Sequence, residues 1–230
     1  MKLRVKFSKK GPLKYIGHLD IMRYFQKAIR RSGIPICYTT GFSPHQIMSF
    51  AAPLGVGVES EGEYFDIEVE SVTTAKEMID LLNAQMAEGI VIEGMRILPD
   101  NVKNAMASIQ AASYLVTLEN ADDFIFESDW IEKLLSLNEI VYTKEGKKGK
   151  GPVTRDIRPA IFELSLMDDG RLYMLIDASS AANLKPAAVV DSLYGLDGKQ
   201  MPKIHVLRID TFTRDDSGNL ISLGNIGELF

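Results

Sequence analysis

The first residues of the chain alternate between basic and apolar side chains. In residues 2–8, KLRVKFS, every second position is apolar. Side chains of a strand point alternately to the two faces of a sheet. The pattern therefore predicts a strand with one buried face and one basic face. The apolar positions are Leu3, Val5 and Phe7, and the basic positions are Lys2, Arg4 and Lys6.

Helical spacing follows this strand. Apolar residues recur every three or four positions, which predicts an amphipathic helix. Gly33 lies where the residue after a helix end is expected. The predicted solvent face of the helix is basic. The apolar stripe consists of Leu19, Met22, Phe25 and Ile29, and the basic positions are Arg23, Lys27, Arg30 and Arg31.

A short loop, Gly41-Phe42-Ser43-Pro44-His45, separates the helix from the next strands. Gly41 permits a tight turn or a positive φ, and Pro44 stiffens the loop. The loop is therefore expected to be a preformed platform that presents Phe42 and His45 beside the basic helix.

The remaining patterns complete two similar sets of elements. Residues 63–71 alternate as a strand, residues 74–77 form a capping box that opens a helix, and residues 89–98 predict a closing strand. The same order follows from about residue 112, with Ser128 as an expected helix N-cap and Asp168-Asp169-Gly170 as a hairpin turn.

The predicted fold class is α+β, with two tandem ferredoxin-like (βαββαβ) units. The N-terminal basic domain is expected over residues 1–100 and the C-terminal domain over residues 112–213. Residues 214–230 form a tail that we expect to be partly mobile or a short appendage.

Composition narrows the class of protein. The chain has 230 residues, 46% hydrophobic and 25% charged, as in ordinary soluble globular proteins. No apolar run approaches the roughly 20 residues of a membrane span. A single cysteine, Cys37, excludes an internal disulfide and a cysteine-only metal site within these residues. We expect a cytoplasmic protein without a membrane partner and without a cofactor.

Charge is distributed unevenly. The net charge is -5, but residues 1–50 carry +9 and the rest -14. Such asymmetry favours a surface that binds a polyanion. A second basic run, residues 144–158, carries +4 and contains three glycines. Its basic residues are Lys144, Lys147, Lys148, Lys150, Arg155 and Arg158.

Candidate catalytic residues are few. His18 and His45, with Asp20 and Ser43, supply the residue types of a nucleophile-base site, but no GxSxG elbow is present. The histidines match no metal-ligand spacing, and His205 is expected to be structural within the last strand. Residues 54–58, LGVGV, lack the GK[ST] of a phosphate-binding loop.

The segment KYIGHLDIMRYFQKAIRRSGIPICYTTGFSPHQIMSFAAPLGVGVESEGEYFDIEV, with the later TRDIRP and NLKP, resembles a bacterial radical-SAM-associated domain of unknown function. That domain occurs alone or fused behind a radical-SAM enzyme domain, so the resemblance implies a radical-SAM enzyme as partner and an RNA-linked role. The chain has no CxxxCxxC motif. The order of GIP and GFSPH also resembles the CRISPR repeat-processing endoribonucleases, whose glycine-rich C-terminal signature is replaced here by LGNIGELF.

The leading hypothesis is a non-catalytic module that binds RNA, expected to be transfer or ribosomal RNA, or presents a substrate to a radical-SAM enzyme. One alternative is a metal-independent RNA endonuclease that uses His18 or His45, and another is a protein-protein scaffold. The expected RNA-binding residues, whose cations would contact phosphates and whose rings would stack, are Lys14, Tyr15, Arg23, Lys27, Arg30, Arg31, Phe42, His45, Lys147, Lys148, Lys150 and Arg155.

Overall fold

A computed structural model describes residues 1–119, 125–144 and 151–230. The expected residues Lys147, Lys148 and Lys150 lie outside this described part. The chain is an α+β protein that divides into two compact units. The first unit combines Met1–Gln110 with Arg208–Phe230, and the second is Ala111–Leu207. This division differs from the predicted domains, because residues 208–230 group with the first unit.

The first unit contains four strands and three α-helices before residue 111, together with residues 208–230. Its elements are β1 (Lys2–Lys9), α1 (His18–Ser32), β2 (Met48–Phe50), β3 (Glu59–Glu68), α2 (Ala75–Asn83), β4 (Ile90–Leu98) and α3 (Ala105–Ser108). The second unit contains β5 (Ala111–Leu118), α4 (Ser128–Ser136), β6 (Val141–Lys144), β7 (Val153–Asp156), β8 (Ile161–Leu166), β9 (Leu172–Asp177) and α5 (Pro186–Gly195). β10 (Ile204–Arg214) begins in the second unit and ends in the first, where β11 (Leu220–Ser222) follows.

The sheet of the first unit has β1 between β4 and β3, and both pairs are antiparallel. β2 pairs antiparallel with β3 from Met48 to Phe50, and β10 also pairs with β3. The apolar side chains of β1 are buried, as the alternation predicted. They pack with α1 and α2 on one face of the sheet.

Four phenylalanines join α1 to this sheet. The ring centroids of Phe7 and Phe25 are 4.8 Å apart, as are those of Phe25 and Phe65. Phe50 packs against all three rings. Burial of one such side chain contributes about 1.5–3 kcal/mol, so the cluster holds α1 firmly against the sheet.

The other face of the sheet is polar. Arg4 in β1 is almost fully buried and makes two hydrogen bonds to Asp66 in β3, at 2.8 and 3.0 Å. Asp66 also accepts a hydrogen bond from the backbone N–H of Ala105, which fixes the start of α3. The basic face that the sequence predicted for β1 is thus partly buried under other elements.

The end of the chain crosses this polar face. Tyr64 in β3 donates a hydrogen bond to Asp210 in β10 at 2.5 Å, and Ser222 in β11 donates to the same carboxylate at 2.7 Å. Burial and the Asp210 carboxylate raise the pKa of Tyr64, so its phenol remains protonated. Glu228 then pairs with Ile97 of β4. Residues 214–230 were expected to be partly mobile or to pack as a short appendage, and these contacts join them to residues far away in the sequence.

The second unit has its own apolar core. β9 pairs antiparallel with β5 on one side and with β8 on the other, and α4 and α5 contribute buried side chains. β6 and β7 form a separate two-stranded hairpin. Gly170, in the predicted Asp168-Asp169-Gly170 turn between β8 and β9, has a φ of 80°, which confirms the predicted turn.

The caps of α1, α2 and α4 can be compared with the caps that the sequence predicted. Gly33 caps α1 with a φ of 75°, and Thr74 forms the predicted capping box with Glu77 at the start of α2. Ser128 is the first residue of α4, and Glu127 is its N-cap, so the predicted cap was wrong.

The buried stripe of α1 differs from the predicted one at one position. Leu19 is exposed, and Ile21 takes its place in the stripe. The core below the first turn is formed around Phe50, and Ile21 faces that side of the helix.

Candidate nucleic-acid interface

Residues 38–46 form a small hairpin that presents Phe42. Tyr38 and Gln46 form a β-bridge, and the N–H of Thr39 donates to the carbonyl oxygen of His45 at 2.9 Å. The N–H of His45 donates to the Thr39 hydroxyl oxygen at 3.1 Å. Gly41 has a φ of 114°, a conformation that favours glycine. Phe42 at the tip is fully exposed.

The basic positions of α1 lie opposite its buried stripe. Side chains advance by about 100° per residue around a helix, which places Arg23, Lys27 and Arg30 on the side away from the sheet. All three are exposed. Arg23 lies 3.4 Å from Asp20, a surface pair of small energetic value. Arg31, although exposed, donates to Gln85 instead.

The hairpin and the helix are in direct contact. The buried side chain of Gln46 donates from Nε2 to the carbonyl oxygen of Gln26 at 3.2 Å. Gln26 follows Arg23 by three residues and precedes Arg30 by four, so both arginines lie on the same side of the helix as Gln26. This hydrogen bond anchors the hairpin that carries Phe42 to the helix that carries the cations.

Lys14 and Tyr15 belong to a short 3₁₀ helix, Gly11–Tyr15, that precedes α1. The Lys14 Nζ lies 5.6 Å from the centroid of the Tyr15 ring, which is 67% exposed. The N–H of Gly57 donates to the carbonyl oxygen of Lys14, so Val56, also exposed, is a near neighbour. These residues add a second aromatic-cation pair to the surface of the first unit.

The three histidines have different surroundings. The His45 ring nitrogen Nδ1 lies 3.1 Å from the Thr39 hydroxyl and 3.4 Å from the carbonyl oxygen of Ser43, not from its hydroxyl. The His18 ring packs edge-on against Phe50, 5.6 Å between centroids. Burial lowers the pKa of His18, so the ring is neutral at pH 7. His205 lies half-buried in β10.

A charged cluster lies beneath His18. Glu63 accepts hydrogen bonds from Ser60 at 2.7 Å and from Arg208 at 2.9 Å. Lys9 is buried and donates to the carbonyl oxygen of Ile16. Burial lowers the pKa of Lys9, with Glu63 opposing the shift. The space at this cluster is only about 10 Å³, room for about one water molecule.

The second basic region belongs to the other unit. Arg155 lies exposed in β7, and its Nη1 donates to the carbonyl oxygen of Ala182 at 2.5 Å. Arg158 donates to the carbonyl oxygen of Leu135. Both guanidinium groups therefore have backbone partners within the second unit.

Among residues 1–119, 125–144 and 151–230, no three histidine, cysteine, aspartate or glutamate side chains are grouped so that they could hold a metal ion. In the same part of the chain no helix is both long and apolar enough to span a membrane.

Sequence reasoning missed a cleft on the polar face of the first unit. Its walls include Arg4, Lys6 and Arg96 from the sheet, with Tyr64 and Ser222. The alternation of residues 2–8 identified a basic face but could not show that the end of the chain covers part of it. No local pattern in residues 215–230 indicates that contact.

Comparisons with known proteins identify the family. The crystal structure of a Cbf5-Nop10-Gar1 complex is similar over 94% of this chain, with 9% sequence identity and a TM-score of 0.48. The chain spans about half, 51%, of the chain it matches there. No curated protein matches the sequence. The model of a family described as "Uncharacterized protein conserved in bacteria (DUF2344)" matches residues 2–186. The chain therefore belongs to this bacterial family of uncharacterized proteins.

Proposed function

We propose that the first unit is a non-catalytic module that binds single-stranded RNA. The observation that carries the proposal is the fully exposed Phe42 on a hairpin bonded to the basic helix α1. An exposed aromatic ring can stack on any unpaired base, which contributes about 1–3 kcal/mol per base. Arg23, Lys27 and Arg30 lie close enough along α1 to neutralise successive phosphates.

The surface of the hairpin supports a preformed platform. Thr39 and His45 close the loop by two hydrogen bonds, and Gly41 has the positive φ that the turn requires. A loop already held in shape loses little conformational entropy when a base stacks on it. Tyr15 beside Lys14 offers a second stacking position in the same unit.

The test is fluorescence anisotropy with a labelled single-stranded RNA of mixed sequence. We expect the logarithm of the affinity to fall with the logarithm of salt concentration, with a slope of about -0.7 per phosphate contact. Reversal of Arg23, Lys27 and Arg30 to glutamate should abolish binding. Phe42→Ala should weaken binding roughly tenfold or more, from the loss of one stacked base.

A matched control separates a local site from net charge. Lys2, Lys76 and Lys103 belong to the same unit but not to α1, and their reversal to glutamate changes the net charge equally. We expect this control to retain most of the affinity. Equal losses in both triple variants, or no loss in the α1 variant, would contradict the proposed surface.

We further propose that the module works with a radical-SAM enzyme, to which it would present RNA. The resemblance of GHLD, GFSPH and TRDIRP to the radical-SAM-associated domain supports this partnership. Co-purification with a radical-SAM enzyme in high salt and nuclease would support direct contact, and crosslinking in cells would identify the RNA, for which transfer and ribosomal RNA are the first candidates.

RNA cleavage would indicate the alternative function. Wild-type protein that cuts RNA in EDTA, with activity lost in His45→Ala or His18→Ala, would favour a metal-independent endonuclease. Binding without cleavage would favour the module.

We also propose that both units are variants of the ferredoxin-like fold. The strand order β4-β1-β3-β2 of the first unit supports this assignment. In the second unit, β5, β8 and β9 correspond to the first, second and third strands of a βαββαβ unit, with α4 after β5 and α5 after β9. Their order in the sheet, β5-β9-β8, places the third strand between the first and the second, as β3 lies between β1 and β2 in the first unit.

A further inference from the structure

A cleft of about 390 Å³ lies on the polar face of the first unit. Its volume falls in the range of small-molecule sites. β1 and β4 form one side, and the segment after β11 forms another. Its polar and charged lining includes Arg4, Lys6, Arg96, Tyr64, Glu93 and Asp210.

Arg4 provides a buried hydrogen-bond donor at this cleft. It is 2% exposed, and its Nε and Nη2 donate to Asp66. Its Nη1 is buried and has no hydrogen-bond partner among the described residues. A buried polar group without a partner is costly and indicates an absent water, ion or ligand. A guanidinium group only donates, so the missing partner is an acceptor.

The strand register places a second arginine beside the first. Arg4 lies directly opposite Arg96 in the antiparallel pair of β1 and β4, so the two side chains emerge on the same face. Asp66 already offsets the charge of Arg4, and Arg96 donates from Nη1 to the carbonyl oxygen of Gly227. An oxyanion between the two guanidinium groups would accept a hydrogen bond from Arg4 Nη1 and would balance the charge of Arg96.

The carboxylates of the cleft restrict the ligand. Asp210 already accepts hydrogen bonds from Tyr64, Ser222 and the N–H of Thr211, and Lys6 lies 3.9 Å from it. Glu93 accepts from the Ser8 hydroxyl at 2.8 Å. The Glu93 carboxylate repels a second anionic group of a ligand. A ligand with one oxyanion group and a hydroxyl-bearing remainder therefore fits the cleft best.

We propose that this cleft binds a small hydroxylated molecule that carries one oxyanion group, a phosphate or a carboxylate. The oxyanion contacts Arg4, Arg96 and Lys6, and the hydroxyl groups face Glu93. This site lies on the face of the sheet opposite α1 and is separate from the proposed RNA surface.

Gly94 allows a clean test. It lines the cleft in β4 opposite Lys6, and a Cβ added there meets nothing within 4 Å. Its φ is not in the positive range, so a residue with a Cβ fits the backbone of the strand there. We expect Gly94→Leu to extend its side chain toward the cleft and to leave the fold in place.

The experiment is isothermal titration calorimetry of the full chain in low salt, with three probes: glycerol 3-phosphate, glycerate and inorganic phosphate. We expect glycerol 3-phosphate or glycerate to bind, and glycerol 3-phosphate to bind more tightly than inorganic phosphate. Gly94→Leu should abolish binding, and Lys6→Met should weaken it about tenfold, the usual effect of losing one charge-assisted hydrogen bond.

Lys76→Gln is the matched control, because Lys76 is an exposed cation of α2, on the face of the sheet opposite the cleft. It should leave the affinity for the probes unchanged. The proposal is overturned if neither organic probe binds, or if binding falls equally in Lys76→Gln and Lys6→Met. Lys6→Met carries the test by itself if Gly94→Leu proves unfolded by circular dichroism.

Discussion

At the residue scale, His18 shows how packing changes a titration. Its ring lies against Phe50 and close to the buried Lys9 and Glu63. Burial disfavours the charged imidazolium and is the largest cause of the lowered pKa, while Glu63 opposes it and Lys9 adds to it. The residue that sequence reasoning considered as a catalytic base is thus held neutral near the core.

This shift predicts a pH dependence of stability. The unfolded chain binds a proton on His18 near pH 6.5, whereas the folded protein binds it only at lower pH. Between the lowered pKa and pH 6.5 the unfolded state therefore carries more protons, and the free energy of unfolding rises with pH. Above pH 6.5 the His18 ring is neutral in both states, and its burial carries no charge penalty. As the pH falls below 6.5, protonation of the unfolded chain lowers the free energy of unfolding.

Urea unfolding of wild type and His18→Gln between pH 5 and 7.5 measures this contribution. We expect the difference in unfolding free energy between the two proteins to move in favour of wild type as the pH rises, and to level off above pH 6.5. A difference that stays constant across the range would contradict the assigned burial of the ring.

At the element scale, the segment after β10 packs on the first unit. Leu223 is fully buried in the turn after β11, and the Tyr64–Asp210–Ser222 hydrogen bonds fix that turn on the sheet. The N–H of Ala75 donates to the carbonyl oxygen of Phe230, which ties the last residue to the start of α2.

Leu223→Ala should lower the free energy of unfolding by about 3 kcal/mol, as for other buried leucines. Leu229→Ala is the control in the same segment, because Leu229 is 74% exposed, and it should change stability by less than about 0.5 kcal/mol. Chemical unfolding measures both. Equal effects of the two substitutions would show that the segment does not pack as described.

At the scale of the whole molecule, the first unit is built from two stretches of sequence, Met1–Gln110 and Arg208–Phe230. β3 needs β10 as a neighbour, since Glu63 and Tyr64 have their partners at Arg208 and Asp210. In a chain of residues 1–110 alone, Tyr64 and Glu63 have lost these partners. The edge of β3 that pairs with β10 is then unpaired and exposed.

Two shortened chains test this division. In the first, a glycine–serine linker of about ten residues joins residues 1–110 to residues 208–230, and we expect this chain to unfold cooperatively. Residues 1–110 alone should be much less stable or unfolded. Thermal unfolding followed by circular dichroism compares the two chains. Residues 1–110 that unfold as cooperatively, and at the same temperature, as the linked chain would contradict the division.

Local chemistry determined much of this protein from the sequence alone. The alternation in residues 2–8 is sufficient to predict β1, because side chains of a strand must face opposite sides. Gly33 and the Thr74–Glu77 pair predicted helix ends correctly, since those signals act within one turn. The exposure of Phe42 likewise follows from its place between Gly41 and Pro44.

Only the tertiary structure decided which distant segments meet. Tyr64 and Asp210 are 146 residues apart, and nothing near either residue indicates the other. Arg4 belonged to a basic face in the sequence, yet it is buried because Asp66 neutralises it and other segments cover it. Leu19 fits a helical stripe but is exposed, because the position of the core, not the period alone, determines which side of α1 is buried. Periodicity reports what a segment can bury, whereas burial depends on a partner that only the folded chain supplies.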